Sequence, residues 1–186
     1  MIYILTGIAK SGKSYVAKRI QKEHNLSIFS TDYIMMMLHY GNPQLKLDID
    51  ASDRSVAKEI QPYVHGLIQV MIDNNDSFLI EGVHFNPDFC KELLQTYPNN
   101  IKILNLGYKD ISTKEKVEEL TKNKANLDNP WLFHHHDPIE TIVAYMIQES
   151  KRLYQDCVKY DLPYIDIYNI EEQTEDIMKL LIKKEA

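Results

Sequence analysis

The stretch GIAKSGKS, residues 7–14, allows few folds around it. It fits the pattern Gly-x-x-x-x-Gly-Lys-Ser. It stands directly after an apolar run, Ile2-Tyr3-Ile4-Leu5-Thr6, and directly before a segment in which Val16, Ala17 and Ile20 share one helical face. Strand, glycine loop and helix in that order gather backbone N–H groups and a helix N-terminus around one point, an arrangement that cradles phosphate. On this pattern Gly7, Ala9, Lys10, Ser11, Gly12, Lys13, Ser14 and Tyr15 are expected to hold a nucleoside triphosphate. Lys13 is expected to reach the β- and γ-phosphates, and the Ser14 hydroxyl to bind Mg²⁺.

The chain continues as strands alternating with helices. Apolar β-type runs recur at 26–30, 77–83, 101–108 and 162–168. Helical periodicity covers 12–24, 31–40, 53–74, 87–96, 112–125, 139–160 and 171–184, with Thr31 or Asp32 as the expected cap of the second helix and a bend expected at Pro62. This alternation predicts an α/β fold of three layers: a five-stranded parallel sheet with helices on both faces. With 186 residues, no internal repeat and no linker, one domain over 1–186 is expected, with a helical lid at about 112–150.

Composition narrows the function. A net charge of −6 argues against a nucleic-acid footprint, which calls for a basic face. No apolar run is long enough to cross a bilayer, and the N-terminus has no signal-peptide pattern, so a cytoplasmic monomer or homodimer is expected. Cys90 and Cys157 lack metal-type spacing and read as buried free thiols. The nearest match to the guanine-reading Asn-Lys-x-Asp motif is Asn123-Lys124-Ala125-Asn126, which lacks the aspartate and follows a helix, so ATP is favoured over GTP.

A small-molecule kinase needs, beyond the loop, an acid near the acceptor hydroxyl and a lid that excludes water. Asp32, after the second strand, is the candidate to orient the acceptor and take its proton. Glu81, ending the third strand, is the candidate second metal ligand and lies beside the substrate. His84 is a candidate substrate contact. Arg152 is the candidate cation for the transferring phosphoryl group, although helical spacing also offers it Glu149 and Asp156. His134-His135-His136, with Trp131 and Phe133, suits a flap over the site better than a metal site.

Two segments carry a family resemblance. SFLIEGVHFNP with the helix before it, and STDYI after the second strand, resemble the 2-phosphoglycerate kinase family over roughly residues 3–90. More broadly the chain is similar to the nucleoside- and shikimate-kinase-like branch of P-loop kinases. The resemblance implies ATP-dependent phosphoryl transfer to a small acceptor. Where the 2-phosphoglycerate kinase pattern has arginine after Thr-Asp-x-Ile, this chain has Met35, the first of three methionines suited to apolar packing around an acceptor. A regulatory ATPase without an acceptor and a kinase of nucleic-acid ends are the alternative readings.

Overall fold

The computed structural model describes residues 1–126 and 131–182. Twelve elements carry the fold among them: β1 Ile2–Gly7, α1 Lys13–His24, β2 Ser27–Ser30, α2 Thr31–Gly41, α3 Asp53–Asp73, β3 Phe78–Gly82, α4 Pro87–Thr96, β4 Ile101–Gly107, α5 Thr113–Lys122, α6 Ile139–Tyr160, β5 Tyr164–Asp166 and α7 Ile170–Ile182. Residues 127–130 of the expected lid and 183–186 of the expected domain lie outside the described residues.

All five strands are parallel, in the order β2-β3-β1-β4-β5. The central strands are apolar on both sides because helices cover both faces. Alternation along each strand sorts the side chains: Ile2, Ile4, Ile80, Ile101 and Ile103 pack with residues of α2, α3, α4 and α6. Leu5, Leu79, Leu104 and Leu106 pack with Val16, Ala17 and Ile20 of α1 and Ile177, Met178 and Leu181 of α7. The three expected layers and five strands are thus present. Tyr108, Leu120, Val143, Met146 and Ile147 form a smaller cluster that joins α5 to α6.

Several local expectations need correction. The cap of α2 is Ser30, whose hydroxyl accepts from the Asp32 backbone N–H at 3.4 Å, so Thr31 and Asp32 sit in the first turn instead. β5 is shorter than its apolar run, and α5 ends at Lys122. The Ser112–Glu115 capping box at the head of α5 is formed in both directions. Cys90 and Cys157 are free and buried, and burial pushes both thiols up, Cys157 to about 12.

The turn out of β1 is where glycine is required. Gly7 has φ of 128°, and a Cβ there would lie 1.9 Å from the Leu106 carbonyl oxygen of β4. That obstacle is backbone of a central strand and cannot swing aside. Gly7→Ala is expected to cost about 3 kcal/mol or more of unfolding free energy, measured by urea denaturation. A loss below about 1 kcal/mol would show that β1 and β4 can separate at this point.

Candidate active site

The C-terminal ends of β1, β2 and β3 and the heads of α1, α2 and α3 converge on one cleft of about 1840 Å³. Open parallel sheets bind ligands at this edge because loops, not side-chain layers, form it. Each of the expected loop residues from Gly7 to Tyr15 lines the cleft. Gly12, with φ of 87°, caps α1, and a Cβ on it would lie 2.4 Å from Ile170 Cγ1, so the loop is pressed against the start of α7. Lys10 also takes a positive φ, of 60°. The Tyr108 hydroxyl, from the end of β4, donates to the Ala9 carbonyl at 2.7 Å and braces the crest of the loop.

Lys13 is 6% exposed. Its ammonium donates to the Ile8 carbonyl at 2.7 Å and lies 3.4 Å from that of Gly7. Burial draws its pKa down to about 8, opposed by the field of Glu81, Asp53 and Asp32. The Ser14 hydroxyl donates to Glu81 Oε2 at 3.3 Å, across 67 residues of sequence. A hydroxyl and a carboxylate side by side form a hard-oxygen pair that fits Mg²⁺. Glu81 reaches this position because it is the fourth residue of β3, in register with Leu5 and facing α1.

Asp32 opens α2 on the other side of the cleft, with 65% of its side chain exposed. Surrounding protein raises its carboxyl above the ordinary range, against Lys13 and Lys10. Its exposed carboxylate oxygens are open to an acceptor hydroxyl, as a proton-accepting group requires. His84 is 3% exposed and shares a 2.9 Å hydrogen bond between Nδ1 and Thr31 Oγ1, while Asp32 Oδ1 lies 3.6 Å away. It lies behind Asp32 and also lines the cleft.

The structure does not bring Arg152 to this cleft. It is 60% exposed, lies 3.7 Å from Glu149, and lines a separate depression of about 350 Å³ with Ser55, Lys58 and Tyr160. Its place on the outer side of α6 follows from helical spacing, and it stands as a surface ion-pair partner. His134, His135 and His136 are exposed at the cleft mouth, and no group of three potential metal ligands occurs among the described residues. Met35 packs on the core and lines the cleft.

Three contributors were not anticipated from the sequence. Asp53, at the head of α3, lines the cleft, and its carboxyl is raised by burial against the pull of His84 and Lys13. Arg54 pairs with Asp156 at 2.7 Å and Glu149 at 3.3 Å, tying α3 to α6. Lys116 is 1% exposed, pairs with Glu119 at 3.0 Å and sits 4.3 Å from the Tyr108 ring centroid, on the donor side of the cleft. The Ser52-Asp53-Arg54 string at a helix start was the available signal for the first two; Lys116 had none beyond its lid position.

No family model matches this chain, and neither does any curated protein sequence. Solved structures do match. A shikimate kinase from Bacteroides thetaiotaomicron gives a TM-score of 0.61 at 15% identity, over 97% of this chain and 98% of that one. A gluconokinase from Sinorhizobium meliloti 1021 gives 0.58 at 13% identity, over 97% and 90%. A sugar kinase from Janibacter sp. HTCC2649 gives 0.54 at 16% identity, over 97% and 93%. At such identities the likeness is one of fold: the chain has the three-layer α/β fold of P-loop kinases.

Burial of His84 has a consequence for acid stability. Its pKa is lowered from 6.5 to about 4 by burial, against the pull of Asp53. The unfolded chain therefore takes up a proton that the folded chain refuses, and stability falls as pH drops from 6.5 toward 4. The expected loss is about 3 kcal/mol over that window, measured by urea denaturation at successive pH values. In His84→Gln this part of the acid slope is expected to vanish; an unchanged slope would assign it to other groups.

Proposed function

We propose that the protein is a kinase that transfers the γ-phosphoryl group of ATP to a hydroxyl of a small metabolite. The carrying observation is the convergence on one cleft of the phosphate loop, the Ser14–Glu81 oxygen pair and the Asp32 carboxylate. The fold shared with structures described as shikimate kinase, gluconokinase and sugar kinase supports the same reading. So does the resemblance of STDYI and SFLIEGVHFNP to the 2-phosphoglycerate kinase family, although Met35 stands where that pattern has arginine.

In this reading the backbone of residues 7–14 and the Lys13 ammonium hold the triphosphate. Lys13 leaves the Ile8 carbonyl for phosphate oxygens. Ser14 and Glu81 would hold Mg²⁺, which supplies neutralising charge to the phosphate oxygens. Asp32 accepts a hydrogen bond from the acceptor hydroxyl and takes its proton as the oxygen bonds to the γ-phosphorus. The bond from that phosphorus to the bridging oxygen breaks, and ADP leaves. His84 and Thr31 fix the first turn of α2, which positions Asp32.

Lys13→Ala is expected to lower kcat/KM by on the order of 10³-fold with the fold retained, and Asp32→Asn to lower kcat by about 10²-fold or more with ATP affinity kept. Both are read as ADP release across a panel of sugars, sugar acids, amino sugars, nucleosides and nucleoside monophosphates. ATP turnover that no acceptor accelerates, and that Asp32→Asn leaves unchanged, would replace this reading with an ATPase.

A further inference from the structure

The cleft is electrically divided. The lysines that line it, Lys10, Lys13, Lys18, Lys116 and Lys122, come from the phosphate loop, α1 and α5. Glu119 of α5, paired with Lys116, and Glu171 of α7 are lining acids of that lysine half. The opposite half, built from the heads of α2 and α3, the loop before α3 and the inner face of α6, contributes Asp32, Asp50, Asp53 and Glu149. Arg54 is the one lysine or arginine among the described residues lining that half. Its guanidinium is already engaged, 2.7 Å from Asp156 and 3.3 Å from Glu149. Asp53, by contrast, makes no ion pair among the described residues, and lies within the electrostatic range of His84, Lys13, Asp32 and Glu149.

A second observation concerns the floor. Thr6 is 1% exposed and lines the cleft, and its hydroxyl has no hydrogen-bond partner among the described residues. It shares a face of β1 with Ile4, which packs in the cluster of Met35, Phe85 and Leu153, so it belongs to the acceptor half. A buried hydroxyl left without a protein partner is a group that a polar ligand can satisfy. Met35, Ile49 and Phe85 supply apolar wall between these polar points.

An anionic acceptor would therefore meet carboxylates, with the nearby guanidinium already spent on two others. An ammonium group would meet at Asp53 a carboxylate that has no ion-pair partner among the described residues, although the buried Lys13 also acts on it. We propose that the acceptor is a hydroxylated primary amine of the amino-sugar or aminocyclitol class: ammonium on Asp53, reacting hydroxyl on Asp32, and a further hydroxyl on Thr6. This deepens the kinase reading and rests on it for the role of Asp32. Proton and phosphoryl transfer are as given above, and the amine takes no part in bond making.

The test compares matched acceptors that differ in one group: amino sugars and aminocyclitols, their N-acetyl derivatives, and the corresponding sugar acids and sugar phosphates. ADP release is expected to show kcat/KM at least about tenfold higher for amines than for N-acetyl compounds, with no acceleration by the anions. In Asp53→Asn, shown by circular dichroism to be folded, the amine-to-N-acetyl ratio is expected to fall about tenfold, and Asp53→Glu to restore most of it. An anionic acceptor used as well as the amine, or an unchanged ratio in folded Asp53→Asn, overturns the assignment. Calorimetric binding of the same compounds to the wild-type protein, with Mg²⁺ and a non-hydrolysable ATP analogue, separates the two readings. Amines that bind but are never phosphorylated leave the charge assignment standing and remove the kinase. Binding of the anions as tightly as the amines, or of neither, removes the assignment whatever the turnover.

Discussion

A positive charge held under the first turn of the chain is what the rest of this site accommodates. Lys13 is nearly inaccessible, and an ammonium taken out of water without partners costs on the order of several kcal/mol. The loop answers part of that cost by turning the Ile8 and Gly7 carbonyls inward. The remainder comes from afar: Glu81 at the end of β3, Asp53 at the head of α3 and Asp32 at the head of α2 all act on it. Those acids share one location because parallel strands deliver every C-terminal end to the same edge of the sheet. The glycines at the ends of that loop follow from the same constraint, since a backbone that curls around an ammonium leaves no room for Cβ atoms against β4 and α7.

The parts of this molecule legible in sequence were those whose cause is local. Strand, loop and first helix could be read because their residues are adjacent, and the five alternations could be read because a strand buried on both faces is a short apolar run. Asp32 and Glu81 were legible for a similar reason: one stands two residues past the end of β2 and the other next to last in β3, and strand ends in this architecture have a known destination. Asp53 ends no strand. It opens a helix, as acids commonly do for the helix dipole, and the packing of α3 against α2 and β1 brings it to the cleft. The cap of α2 was misread by one or two residues because Ser30, Thr31 and Asp32 can all cap, and the strand's pairing to Glu81 decides among them.

The arginines make the same point about competition. Helical spacing offered Arg152 the acids Glu149 and Asp156 of its own helix. Arg54, arriving from α3, takes Asp156 at 2.7 Å and reaches Glu149 with its Nε. A guanidinium with two planar donor edges can bridge two carboxylates a helical turn or two apart, which a partner on the same helix does less well. Arg152 keeps a longer, more exposed contact with Glu149, of the kind worth little on a surface. The bridging pair also fixes α6 against the head of α3, so the wall carrying Glu149 and the turn carrying Asp53 are set relative to one another by charge as well as by apolar packing.

That bridge bears on the polarity of the whole cleft. Had Arg54 been left unpaired, the acceptor half would present a forked cation beside Asp53, and the field there would be close to balanced. Engaged by Glu149 and Asp156, it cancels part of their charge and is not among the groups that act on Asp53, which are His84, Lys13, Asp32 and Glu149. The lysine half carries the sign that a triphosphate would need in the proposed reading, and Lys116, set on the Tyr108 ring that braces the loop, extends that sign toward α5. In the proposed reading a cleft polarised in this way would order its ligands along one axis: the polyanion toward the glycine loop, and across Asp32 a group that tolerates, or is drawn by, negative charge.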